Sequence, residues 1–166
     1  MGRHSRREAG TVAAVPDAPE PQEIERWHRW MAASLFNRAW ELMEAPRTPE
    51  EDRELLAAAL ASWLHWRPVG SAVNHAVADW QVARVFTLLG EPARAAEFGR
   101  ESLRTAEAEG LSPFYVGYAC EALARAAALA GDAEQRESWL ERARRVAAAV
   151  TDSEERAALE TDLDTV

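Results

Sequence analysis

Residues 80–107 read WQVARVFTLLGEPARAAEFGRESLRTAE. Two apolar, alanine-rich runs flank the break Gly90-Glu91-Pro92. A glycine suits the left-handed position that ends a helix, and a proline suits the first turn of the next. Just upstream, Val73, Val77 and Trp80 fall on one stripe with Ala76 and Ala83, the three-to-four spacing of a helix face. The stretch therefore predicts two helices, 72–89 and 92–109. The short link folds the second back antiparallel on the first.

The same punctuation extends in both directions. Pro46 and Pro49, Pro68-Val69-Gly70, Gly110-Leu111-Ser112-Pro113, Gly131-Asp132 and Thr151-Asp152-Ser153 divide the chain. Helix starts are marked by Thr48-Pro49-Glu50-Glu51, Asp132-Ala133-Glu134-Gln135 and Thr151-Asp152-Ser153-Glu154, each with a capping side chain and an acid or amide one turn on. Predicted helices span 23–44, 49–66, 72–89, 92–109, 113–130, 133–150 and 152–164. Alanine, the best helix former, supplies 35 of the 166 residues. No segment alternates in the manner of a strand. The expected fold is all-α, with antiparallel hairpins stacked side by side. Residues 1–22 hold Pro16, Pro19 and Pro21 and no aromatic residue. They read as a flexible tail ahead of a helical domain at 23–166, because so little apolar surface cannot offset the entropy of ordering.

Residues 80–107 also resemble a tetratricopeptide repeat. Val82-Ala83 stands at the large-small pair of that motif, Phe86 at its aromatic, Gly90 between the helices, Ala95 in the second helix and Ser102-Leu103 at the close. A further copy, from near Pro113, places Leu123-Ala124, Ala127, Gly131, Leu140 and Ala143 at equivalent points, with Arg136 where alanine is expected. The resemblance implies three helix pairs wound as a right-handed superhelix, closed by a last helix with Ala157, Ala158, Leu159 and Leu163 inward. The turn His65-Trp66-Arg67-Pro68-Val69-Gly70 is similar to that of small bacterial proteins of this kind, a likeness that carries no activity.

In such arrays the first helix of each pair lines a concave face. Carried over position by position, the resemblance puts Val77, Trp80 and Arg84 there from one helix and Tyr118, Glu121 and Arg125 from the next. Arginine reads carboxylates with two parallel hydrogen bonds, and aromatic side chains supply buried area. A peptide or a small acidic ligand would suit that groove. The expected function is a non-catalytic scaffold that binds a partner segment, or a second copy of the chain. The bland reading is structural: Glu121 and Arg125 are an ordinary i,i+4 surface pair, and Arg84 crosses to Glu121.

A different class of function would centre on Asn37, His65, Asn74 and His75. Neutral imidazoles near one turn could serve a small-molecule or metal-dependent helical enzyme, with Glu41 or Glu44 completing a ligand set. No known metal-binding spacing is present, and no metal or cofactor is expected. Trp27 and Trp30 read as packing at the start of the first helix, with a dimer surface as the alternative. Cys120, in an apolar setting, reads as an inert thiol.

Composition narrows the rest. All 19 basic residues are arginine, so lysine Schiff-base chemistry and Walker-type phosphate binding are excluded. A formal charge of −9 argues against nucleic-acid partners. One cysteine cannot form an internal disulfide, and no stretch reaches the ~20 apolar residues of a membrane span. With no signal-like segment, the cytoplasm is the expected compartment.

Overall fold

A computed structural model describes residues 19–166; most of the expected tail, residues 1–18, lies outside the described residues. The helices are α1 (Pro21–Glu44), α2 (Pro49–Trp66), α3 (Ala72–Leu88), α4 (Pro92–Ala108), α5 (Pro113–Ala130), α6 (Ala133–Ala147) and α7 (Ser153–Leu163). No strand occurs among the described residues. α1 opens at Pro21, two residues before the predicted start, because proline at N1 gives up no backbone bond. α6 stops at Ala147, three residues early, and Ala148 to Val150 turn toward α7.

Local chemistry explains where the helices begin and end. Thr48 and Glu51 form a reciprocal capping box on α2. Ser71 and Asn74 do the same on α3. Asp132 caps α6, and Asp152 caps α7 through the backbone N–H groups of Glu154 and Glu155. Gly90 and Gly131 hold φ of 79° and 75°, the left-handed turns that close α3 and α5.

Each helix packs on the next in sequence, giving the hairpins α1–α2, α3–α4 and α5–α6. The odd helices also approach closely along their own row, α1 to α3, α3 to α5 and α5 to α7, whereas α2, α4 and α6 stand farther apart and meet through long side chains, Trp63 on Phe98 and Arg142 on Glu107. A two-layer stack whose layers are unequally spaced must bend toward the closer one. The odd helices therefore line the inner face. Close approach depends on small residues at the crossings: Ala39, Ala83, Ala95, Ala119 and Ala124 are fully buried. Larger side chains lock between them in two clusters. Leu42, Leu55, Val82, Val85 and Phe86 fill the first. Leu103, Leu123, Leu140, Leu159 and Leu163 fill the second. α3 also buries a carboxylate, Asp79, whose Oδ1 accepts the Trp63 indole N–H at 2.6 Å and lies 3.0 Å from Arg67 Nη2. Burial pushes that carboxyl above its ordinary range.

Candidate binding site

The inner face carries a continuous aromatic run. Phe36 and Trp40 come from α1, Trp80 from α3, and Phe114, Tyr115 and Tyr118 from α5. Neighbouring ring centroids lie 6.4 Å apart for Phe36–Trp40, 5.7 Å for Trp40–Trp80 and 5.3 Å for Trp80–Tyr118. Phe114 stands 4.9 Å from Tyr118 and 5.4 Å from Tyr115. Most of these pairs meet edge to face, the arrangement favoured by the ring quadrupoles. Their i,i+4 spacing within α1 and α5 aims Phe36 with Trp40, and Phe114 with Tyr118, at the same side. Together with Ala76, Val77, Ser102 and Asp162 they enclose a cavity of about 260 Å³.

Beside the cavity sits a buried ionic cluster. Glu121 is 1 % exposed. Its Oε2 accepts the Trp80 indole N–H at 3.2 Å, and its Oε1 accepts from Arg125 Nε. Arg84 Nη1 stands 3.7 Å from Oε1, an ion pair without a hydrogen bond. Burial, partly countered by Glu121, holds the Arg84 guanidinium below its ordinary affinity for the proton. Arg125 reaches on to α7, donating to the Asp162 carbonyl at 2.9 Å and to Thr165 Oγ1 at 2.5 Å. The Tyr118 hydroxyl donates to Asp162 Oδ2 at 2.8 Å. Burial first, and then the Asp162 carboxylate, push that phenol upward. The cluster thus sets the Trp80 ring in place and clamps the end of α7 over α5.

The six residues carried over from the repeat register therefore divide. Val77, Trp80 and Tyr118 line the cavity; Arg84, Glu121 and Arg125 do not, and both arginines pair with the one Glu121 carboxylate. The sequence reading missed Phe36, Trp40, Phe114, Tyr115 and Asp162. For Phe36, Trp40 and Phe114 the signal was available, as aromatic pairs spaced i,i+4 on first helices of hairpins; Tyr115 belongs to no such pair. For Asp162 there was none, because the way α7 lies across α5 is set by long-range packing.

The polar set is not assembled as one site. Asn74 accepts from the Ser71 N–H and hydroxyl at the start of α3. Asn37 is exposed on α1, nine residues, or about 14 Å of helix, beyond His28. His75 Nε2 lies 3.1 Å from the Trp66 carbonyl. His65 pairs instead with His28, Nδ1 to Nδ1 at 2.9 Å. No group of three His, Cys, Asp or Glu residues placed to hold a metal occurs among the described residues. Cys120 is buried, which pushes its thiol up to about 11 and leaves no thiolate for nucleophilic work. Trp27 and Trp30 are 53 % and 57 % exposed, so they do not provide the expected helix-start packing; their rings meet edge to face, 5.5 Å apart.

The histidine pair gives a pH prediction. One imidazole can donate to the other only while at least one is neutral. Burial and the neighbouring His28 lower the proton affinity of His65 in the folded state. The unfolded chain then binds the proton more readily, so stability is lost as pH falls through about 6.5. Thermal unfolding of wild type should weaken more between pH 7.5 and 5.5 than that of His65→Gln. Parallel curves for the two proteins would contradict the assignment.

No helix among the described residues is long and apolar enough to cross a membrane. Comparison of the chain with protein-family models, with curated proteins and with solved structures gives no match.

Proposed function

We propose that the protein is a non-catalytic binding module, a tetratricopeptide-like helical repeat acting in the cytoplasm, that grips a segment of a partner protein on its inner face. The observation that carries this reading is the aromatic cavity, to which three successive odd helices each contribute rings. Concave sites with apolar walls and few polar groups are where ligands bind most often. Val77, Trp80 and Tyr118 make the contacts. Glu121, with Arg84 and Arg125, holds Trp80 in position. Large buried aromatic residues held rigid lose little entropy on binding and act as anchors.

Filling the cavity tests the reading without disturbing the ionic cluster. Val77 is half-buried at the cavity wall, so Val77→Trp inserts bulk where the partner would lie. Proteins captured from a lysate by wild type and lost by Val77→Trp, yet retained by the outer-face control Arg100→Glu, are the expected result. An identical set of captured proteins for all three would remove the inner face as the binding surface.

A further inference from the structure

The charges around the cavity are unevenly shared, and this identifies what it accepts. Both neighbouring arginines are engaged by Glu121: Arg125 through Nε, and Arg84 across 3.7 Å. The remaining hydrogen bonds of Arg125 go to a backbone carbonyl and the Thr165 hydroxyl. Asp162, the one charged residue in the cavity wall, forms no ion pair among the described residues. Its Oδ2 accepts the Tyr118 hydroxyl, a neutral donor. The carboxylate thus faces a half-open aromatic cavity with no guanidinium in contact with it, although the charge of Arg84 reaches it through space.

Three kinds of occupant can be compared. An anion would meet Asp162 and the negative faces of the rings, both repulsive. A neutral apolar group would strip water from Asp162 and return nothing for it. A cation would satisfy Asp162 and be drawn to the ring faces as well. The overall charge of −9 favours the approach of a cation. The wall also selects among cations. A guanidinium brings five N–H donors and a primary ammonium three, all needing acceptors. Here the Ser102 hydroxyl, which donates to the Ala76 carbonyl at 2.8 Å, is itself only 2 % exposed, and the other side-chain acceptors of the wall are Asp162 and the tyrosine hydroxyls. An alkylated ammonium, with few or no N–H groups and weak hydration, fits this scarcity.

We propose that the cavity binds an alkylated ammonium head carried on the partner segment, with the aromatic rings as its walls and Asp162 as its counter-charge. This rests on the inner-face binding reading and gives its ligand a chemistry.

The test is calorimetric titration of the full chain with four probes. These are a glycine-flanked pentapeptide bearing trimethyllysine, the same peptide bearing norleucine, choline, and 3,3-dimethylbutanol, the neutral isostere of choline. The trimethyllysine peptide should bind at least about tenfold more tightly than the norleucine peptide, and choline more tightly than its isostere. Asp162→Asn, which keeps an acceptor for Tyr118, should erase most of that preference while leaving the thermal unfolding temperature near that of wild type. Equal binding of charged and neutral probes would overturn the ammonium assignment and leave an apolar binding cavity, so the inner-face reading would survive it. Choline binding more tightly than the peptide would overturn the segment as the carrier. Absence of binding by every probe would overturn the proposal, and the Val77→Trp comparison would separately decide the inner-face reading.

Discussion

Glu121→Gln is expected to destabilise the protein by about 3 kcal/mol. The substitution keeps the shape and keeps an oxygen for the Trp80 indole N–H, so what it removes is charge. That charge is shared by two guanidiniums whose side chains are 22 % and 13 % exposed. Without it, Arg84 and Arg125 face each other across a poorly solvated gap. Breaking a buried pair from one side typically costs about 3–5 kcal/mol. The lower end applies because both arginines keep some contact with water. For an m of about 2 kcal/mol/M, the urea midpoint would drop by roughly 1.5 M. The triple replacement Glu121→Leu, Arg84→Met and Arg125→Met should lose far less, since exchanging a whole buried ionic group for apolar side chains is often close to neutral. A loss under about 1 kcal/mol for Glu121→Gln would make this cluster no stronger than an exposed i,i+4 pair.

That contrast also shows which features the sequence could disclose. Glu121 and Arg125 have a spacing common in solvated surface pairs, and spacing alone does not separate them from the exposed pair Glu50 and Arg53, three residues apart. The difference arises because α3 lays Trp80 and Arg84 over Glu121 from one side while α7 covers Arg125 from the other. Turns behave differently. Gly90, Gly131, Thr48 and Asp152 act within a few residues of themselves, so the sequence carries their geometry and the helix order follows. Asn74 was legible too: Ser71 and Asn74 stand three apart at a helix start, the capping-box spacing, and that local role outweighs membership of a polar cluster. The pairing of His65 with His28 rather than His75 joins residues 37 apart, across the α1–α2 hairpin. Asp162 is farther still from the residues it serves. Hairpin order follows from turn chemistry and helix periodicity, whereas the chemistry of the inner face depends on which side of each helix meets which neighbour.

The seating of α7 is the largest such dependence, and Leu159→Ala should expose it. Leu159 is fully buried in the second core cluster. It fits because Gly117 on α5 has no side chain: a methyl there would run into Leu159 Cδ2. Truncating a leucine in such a site typically costs about 2–5 kcal/mol. The loss falls on an element that cannot stand alone. α7 has 11 residues, too few for an isolated helix in water, and among the described helices it packs on α5 and α6 alone. Hydrogen exchange should accelerate in α7 before it does in α1 to α4. The cavity should lose Asp162, so any preference for a cationic probe should decline together with the protection of α7. Gly117→Ala should destabilise from the opposite direction, by about 1–3 kcal/mol, through overpacking against a leucine with nowhere to move. The two changes occupy the same space, so they cannot be independent. The added methyl partly fills the hole left by the shortened Leu159. The double variant should therefore be no less stable than Leu159→Ala alone, a favourable coupling of about 1 kcal/mol or more. Strict additivity in that cycle would mean that Leu159 and Gly117 do not meet, and that α7 is seated on α5 by other contacts.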